Sequence, residues 1–81
     1  MNTAEWIRVS HEWEALWAAV ESLQEDINHE VEHLMKGEGR GPTLEMCTAL
    51  KELRIQEQEA RSVLDEVIDQ LCMFAKENRR P

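Results

Sequence analysis

The chain has 81 residues, with 17 acidic and 9 basic side chains and a formal net charge of −8 at pH 7. A chain of this length supports one domain with a small core, so we expect a partner molecule to help bury its apolar surface. The acidic balance argues against direct binding to nucleic acid or to an anionic membrane, because phosphate binding requires clustered Lys and Arg.

The first half of the chain predicts one long amphipathic helix over about residues 3–36. Asn2 can cap its start, and Glu5 follows three residues later, as in a capping box. Apolar residues then recur at steps of three and four, mostly alternating, which places them on one stripe: Trp6, Val9, Trp13, Leu16, Val20, Leu23, Ile27 and Leu34. Such a narrow stripe is typical of a helix that packs against another helix.

Residues 37–42 predict a turn, because this stretch contains three glycines and one proline. Gly37 can adopt the left-handed conformation that ends a helix, and Pro42 blocks continuation of the helix through the turn. Thr43 is suited to cap a second helix through its hydroxyl group.

A second helix is predicted over about residues 43–78. Its stripe has the same spacing and contains Met46, Leu50, Leu53, Ala60, Leu64, Val67, Leu71 and Phe74. The two stripes together form an apolar seam. The sequence therefore predicts an all-α protein, a single domain over residues 1–81 that folds as a coiled-coil-like, two-helix antiparallel hairpin.

Apolar residues outside the seam indicate further association. They widen the apolar arc beyond what one neighbouring helix covers, and they are Ile7, Trp17, Val31, Cys47, Val63, Ile68, Cys72 and Met73. We expect the hairpin to pair with a second copy into a four-helix bundle, with a dimer as the most favoured oligomer. The residues expected to form its seam are Trp6, Trp13, Leu16, Val20, Leu64, Val67, Leu71 and Phe74.

Two glutamates, Glu30 and Glu57, occupy seam positions but lie far apart along the antiparallel pair. A buried carboxylate without a partner is costly. Either each carboxylate reaches solvent at the edge of the seam, or a second copy supplies a cation such as Arg54 or Arg61.

The string His29-Glu30-Val31-Glu32-His33 matches the H-E-x-x-H spacing of zinc proteases. A catalytic zinc site also needs a third ligand and a substrate cleft, and a short hairpin offers no obvious cleft. Glu30-x-x-His33 likewise has the spacing of di-metal carboxylate bundles, but the chain has no second copy of that motif. We expect no cofactor and no metal, with His29 and His33 as weak candidates for a metal-binding bundle.

The cysteines indicate no intrachain disulfide. Cys47 and Cys72 lie 25 residues apart on one predicted helix, a separation of about 37 Å at 1.5 Å per residue. The sequence shows no secretory leader and no apolar run of membrane-spanning length, so we expect a cytoplasmic protein.

These features favour a non-enzymatic protein-interaction module, an adaptor, chaperone or inhibitor that acts by helix packing on a protein partner. Tryptophan is enriched where binding energy concentrates, and Trp17 lies beside the seam rather than in it. The candidate partner-binding residues are Ile7, Arg8, Glu14, Trp17 and Glu21.

The alternative function is mimicry of a nucleic acid. Residues 2–35 contain eight acidic side chains and a single basic one, Arg8. A host nucleic-acid-binding protein could accept this acidic face in its basic groove. The side chains concerned are Glu5, Glu12, Glu14, Glu21, Glu25 and Asp26.

Overall fold

The computed structural model describes residues 3–77 as two helices, α1 (Thr3–Met35) and α2 (Leu44–Glu77), which pack against each other. The all-helical, two-helix fold predicted from the sequence is confirmed. The proposed cap Asn2 and residues 78–81 lie outside the described residues. The hairpin measures 66 × 22 × 15 Å, so it is one layer thick and each helix covers only one stripe of the other.

The end of α1 is closed by backbone geometry at Gly37. The N–H of Gly37 donates to the carbonyl of Leu34 at 3.0 Å, and the N–H of Glu38 donates to the carbonyl of His33 at 2.9 Å. This pair of bonds is the Schellman motif, which needs a residue with positive φ after the helix. Gly37 supplies it with a φ of 76°, as the sequence predicted.

The start of α2 is capped by Thr43, whose hydroxyl accepts a 3.1 Å hydrogen bond from the N–H of Met46. Just before it, Gly41 has a φ of 81° and is buried against Leu34. The turn thus begins and ends on left-handed glycines, and its last residues fold back over the end of α1.

The core lies towards the open end of the hairpin. Val9, Leu64 and Val67 form a buried cluster, and Trp6 and Trp13 pack against it. Val20 is buried further along α1.

Burial differs from the seam pattern near the two ends of the hairpin. Phe74 is 55% exposed and Leu34 is 49% exposed, although the spacing places both in the seam. A repeat of seven residues drifts by about 20° per heptad around a straight helix. The last seam position of each helix, Leu34 in α1 and Phe74 in α2, therefore rotates away from the neighbouring helix.

We expect the Gly37→Ala substitution to destabilise the hairpin by about 1–2 kcal/mol, because an L-residue in the left-handed region costs this much. A Cβ at Gly37 would meet nothing within 4 Å, so the cost is conformational alone. Gly41→Ala should cost at least as much, since its Cβ would also lie 3.0 Å from Cδ2 of Leu34.

Urea unfolding followed by circular dichroism measures both losses. Gly39→Ala is the control, because Gly39 does not have a positive φ, although its Cβ would lie 3.3 Å from Cβ of His33. A Gly37→Ala variant as stable as the wild type would show that the left-handed conformation at Gly37 contributes nothing to stability.

Candidate functional site

A buried carboxylate joins the two helices. Glu57 of α2 is 4% exposed, and its Oε1 atom accepts a 2.9 Å hydrogen bond from the indole N–H of Trp13 on α1. The same oxygen accepts a 2.9 Å bond from Nε of Arg61 and a second bond from the terminal Nη2 of that guanidinium. We refer to Trp13, Glu57 and Arg61 as the Glu57 cluster.

The Glu57 cluster keeps its carboxylate ionised. Burial by itself raises the pKa of Glu57, but the hydrogen bonds from Trp13 and Arg61 and the positive charges of Arg61 and Arg54 favour the charged form. The net effect is a pKa below the ordinary value of 4.5. Glu57 is therefore negatively charged at neutral pH although it lies in the seam.

The solvated edge predicted for Glu57 is wrong, and of the other explanation the cation Arg61 is correct but its source is not. The carboxylate does not reach solvent, and its cation comes from the same chain, one helical turn further on, rather than from a second copy. The i, i+4 spacing of Glu57 and Arg61 is the signal that would have identified this ion pair. Glu30, the other seam acid, is half-buried.

Beside the Glu57 cluster lies a cleft, which we call the Trp17 cleft. It is lined by Trp17, Val20, Gln24, Arg54, Glu57, Gln58 and Arg61. The Trp17 ring stacks on the ring of Trp13, with centroids 6.1 Å apart and planes inclined by 14°. Trp17 remains 38% exposed, so its outer side is available for contact.

The Trp17 cleft belongs to a longer face of the hairpin. Val31 lies two heptads beyond Trp17 on α1, and Ile68 lies one heptad beyond Arg61 on α2. Residues one or two heptads apart occupy nearly the same side of a helix. Val31 and Ile68 are 37% and 38% exposed. We call the surface formed by these residues and the cleft the cleft face.

Four of the five predicted partner-binding residues lie on or next to the cleft face. Ile7, Glu14 and Glu21 are spaced by heptads, on the row adjacent to Trp17, and all three are exposed. Arg8 does not join them. It lies nine residues before Trp17, which at about 100° per residue puts it on the opposite side of α1.

Arg8 belongs to a different groove. Its guanidinium donates to Glu12 at 3.2 Å, and it lines a depression with Val9, Leu16 and Val63. The structure therefore separates Arg8 from the other candidate contact residues.

The two candidate metal ligands lie near the end of α1. The Nε2 atoms of His29 and His33 are 3.1 Å apart. Within residues 3–77 no group of three or more His, Cys, Asp or Glu side chains is placed to hold a metal ion. Cys47 and Cys72 are exposed free thiols.

No family model, curated protein or solved structure matches this chain. Within the described part of the chain, neither helix contains an apolar segment of the length and hydropathy needed to cross a bilayer.

We expect the hairpin to lose stability as the pH falls below 4.5, because Glu57 has a lower pKa in the folded state than its ordinary value. Its contribution is fully present above the unfolded pKa and disappears as the pH falls through the folded pKa. Glu57→Gln keeps an acceptor for Trp13 but removes the charge. It should lower the free energy of unfolding by about 1–3 kcal/mol at neutral pH. It should also reduce the further loss of stability at acid pH.

The measurement is urea unfolding over a pH series. Glu59→Gln, which changes an exposed acid on the same helix, is the matched control. It should change neither the stability at neutral pH nor the loss of stability at acid pH. An equal loss of stability at acid pH in the wild type and in Glu57→Gln would contradict the assignment of this pH dependence to Glu57.

Proposed function

We propose that this protein is a non-enzymatic interaction module that acts by packing its helices against another protein, as an adaptor, chaperone or inhibitor. The cleft face is the observation that supports this function. It presents exposed apolar side chains beside exposed guanidinium groups, on a hairpin only one layer thick. Exposed apolar surface rimmed by charge is typical of protein-binding sites.

Trp17 is the expected anchor of the contact. Its position is fixed on one side by the ring of Trp13, which is itself held by the hydrogen bond to Glu57. A large aromatic side chain that is already ordered loses little conformational freedom on binding. Tryptophans of this kind contribute a large share of the binding energy at protein interfaces.

The first partner we propose is a second copy of the chain. Glu14 and Glu21 lie one turn on either side of Trp17, while Arg54 and Arg61 line the same cleft as Trp17. The two glutamates of α1 and the two arginines of α2 therefore lie at the same height along the long axis of the hairpin.

A twofold axis parallel to the helices places α1 of one copy over α2 of the other at the same level. Because the helices are antiparallel, Glu21 of one copy then faces Arg54 of the other, and Glu14 faces Arg61. The cleft face is thus self-complementary in charge, as an interface with twofold symmetry requires.

The size of the hairpin is sufficient for such a dimer. Its broad side measures 66 × 22 Å, which exceeds the area of about 800 Å² that each partner contributes to a standard interface. Two hairpins joined through this side form a four-helix bundle, in which each helix contacts two neighbours.

Charge reversal tests the dimer. We expect Arg54→Glu and Glu21→Arg each to weaken self-association at least tenfold, because each places like charges together at the interface. The double variant exchanges the two charges and should restore the dimer. Light scattering after size-exclusion chromatography, over a range of protein concentrations, gives the mass.

Arg40→Glu is the control, because it makes the same change of charge on the exposed turn. It should leave the dimer unchanged. A wild-type protein that stays monomeric at every concentration would overturn the proposed dimer, as would a double variant no better associated than the single ones.

Truncation of the anchor tests the wider proposal. Trp17→Ala should abolish self-association while the far-ultraviolet spectrum remains helical, because Trp17 packs beside the core rather than in it. Ile55→Ala is the matched control, since Ile55 is 55% exposed and lies on the side of α2 opposite the seam. Equal effects of the two substitutions would contradict the role of Trp17.

Nucleic-acid mimicry is a second candidate function, favoured by the unneutralised charge of α1. Its six acidic candidates are all exposed, and among the described residues only Glu12 of these six has an ion pair, with Arg8. If this function is correct, the protein should displace DNA from a basic DNA-binding protein at low salt and fail to do so at high salt. Helix packing through the cleft face should persist at both salt concentrations.

A further inference from the structure

The geometry of His29 and His33 points to a binding site for a divalent transition-metal ion of the zinc, nickel or copper type. This inference is independent of the proposed function. The two histidines lie one turn apart on α1, and their Nε2 atoms are 3.1 Å apart. Two imidazole nitrogens bound to one zinc ion at 2.0–2.1 Å are about 2.9 Å apart at a right angle and about 3.3 Å apart at the tetrahedral angle. The observed separation lies between these two values.

The orientation of the rings also suits a shared ion. The ring centroids are 4.5 Å apart and the ring planes are inclined by 62°. Because the centroids are farther apart than the nitrogens, the rings point towards each other. The two Nε2 atoms share a hydrogen bond, and which ring donates depends on the tautomer of each ring. When both rings carry their proton on Nδ1 instead, both Nε2 lone pairs are free to bind one ion.

The turn after α1 supplies an outer carboxylate for this site. The Nδ1 atom of His33 lies 3.7 Å from Oε2 of Glu38, while the N–H of Glu38 is bonded to the carbonyl of His33. Histidines that bind a metal through one nitrogen usually direct the other N–H to a carboxylate, which fixes the tautomer and raises the basicity of the ring. The Schellman motif at Gly37 fixes the backbone of Glu38, which leaves its carboxylate near Nδ1 of His33 although farther than a hydrogen bond.

The site provides two protein ligands, so water or a group from another molecule completes the coordination sphere. Within residues 3–77 no third His, Cys, Asp or Glu side chain joins the pair, and Glu30 is half-buried at the seam. We therefore assign the site to metal binding that clamps the last turns of α1, and not to hydrolysis. Imidazole pairs suit zinc, copper and nickel better than magnesium or calcium.

Titration of the untagged protein with zinc alone, followed by isothermal calorimetry, tests this site. We expect one zinc ion per chain and a rise in the melting temperature with zinc, because the ion binds the folded helix only. His29→Gln and His33→Gln should each weaken binding at least tenfold. His11→Gln is the matched control, since His11 is the third histidine of the chain and lies outside the pair.

A second pair of variants tests the outer carboxylate. Glu38→Gln should weaken zinc binding about tenfold, since loss of an outer partner typically costs 10- to 100-fold in metal affinity. Glu32→Gln, a nearby acid on α1, should leave binding unchanged. Wild-type protein that binds no zinc at micromolar concentration, or His11→Gln that weakens binding as much as His33→Gln, would overturn the assignment.

Discussion

The carboxylate of Glu57 fixes how the two helices lie against each other. Among the described residues, the buried apolar side chains are only Val9, Val20, Leu64 and Val67. Apolar contacts of this kind are not directional, so a thin seam by itself tolerates sliding of one helix along the other. The bond from Trp13 to Glu57 is directional and joins one residue of α1 to one residue of α2. A polar group in a helical seam commonly sets register in this way, at some cost in stability.

The same cluster shapes the proposed interface. Arg61 binds Glu57 while its side chain stays half exposed, and Arg54 is exposed at the rim of the Trp17 cleft. Trp13 is held by the carboxylate and in turn supports the ring of Trp17. The interior charge thus positions the apolar anchor and one of the two cations of the cleft face, Arg61. Loss of Glu57 should therefore disturb the interface as well as the core.

The fold was predictable from local signals, because each of them involves residues close together in sequence. The spacing of apolar residues predicted two helices, Gly37 predicted the end of the first and Thr43 the cap of the second. The Glu57 cluster was not predicted. The bond from Trp13 depends on the register between two helices that are distant in sequence. A stripe of apolar residues does not fix that register. Arg8 was grouped with Trp17 because the two are near in sequence, although nine residues of helix place them on opposite sides.

Stability and binding are coupled in a hairpin of this kind. A single small core supplies only a few kcal/mol of net stability. A ligand present at a hundred times its dissociation constant adds about 2.7 kcal/mol if it binds only the folded state, a gain of the same order. The cleft face and the histidine pair lie on different sides of α1, so the proposed second copy and the proposed metal ion would contribute independently. The folded population of this chain should therefore rise with the concentration of any ligand that binds only the folded state.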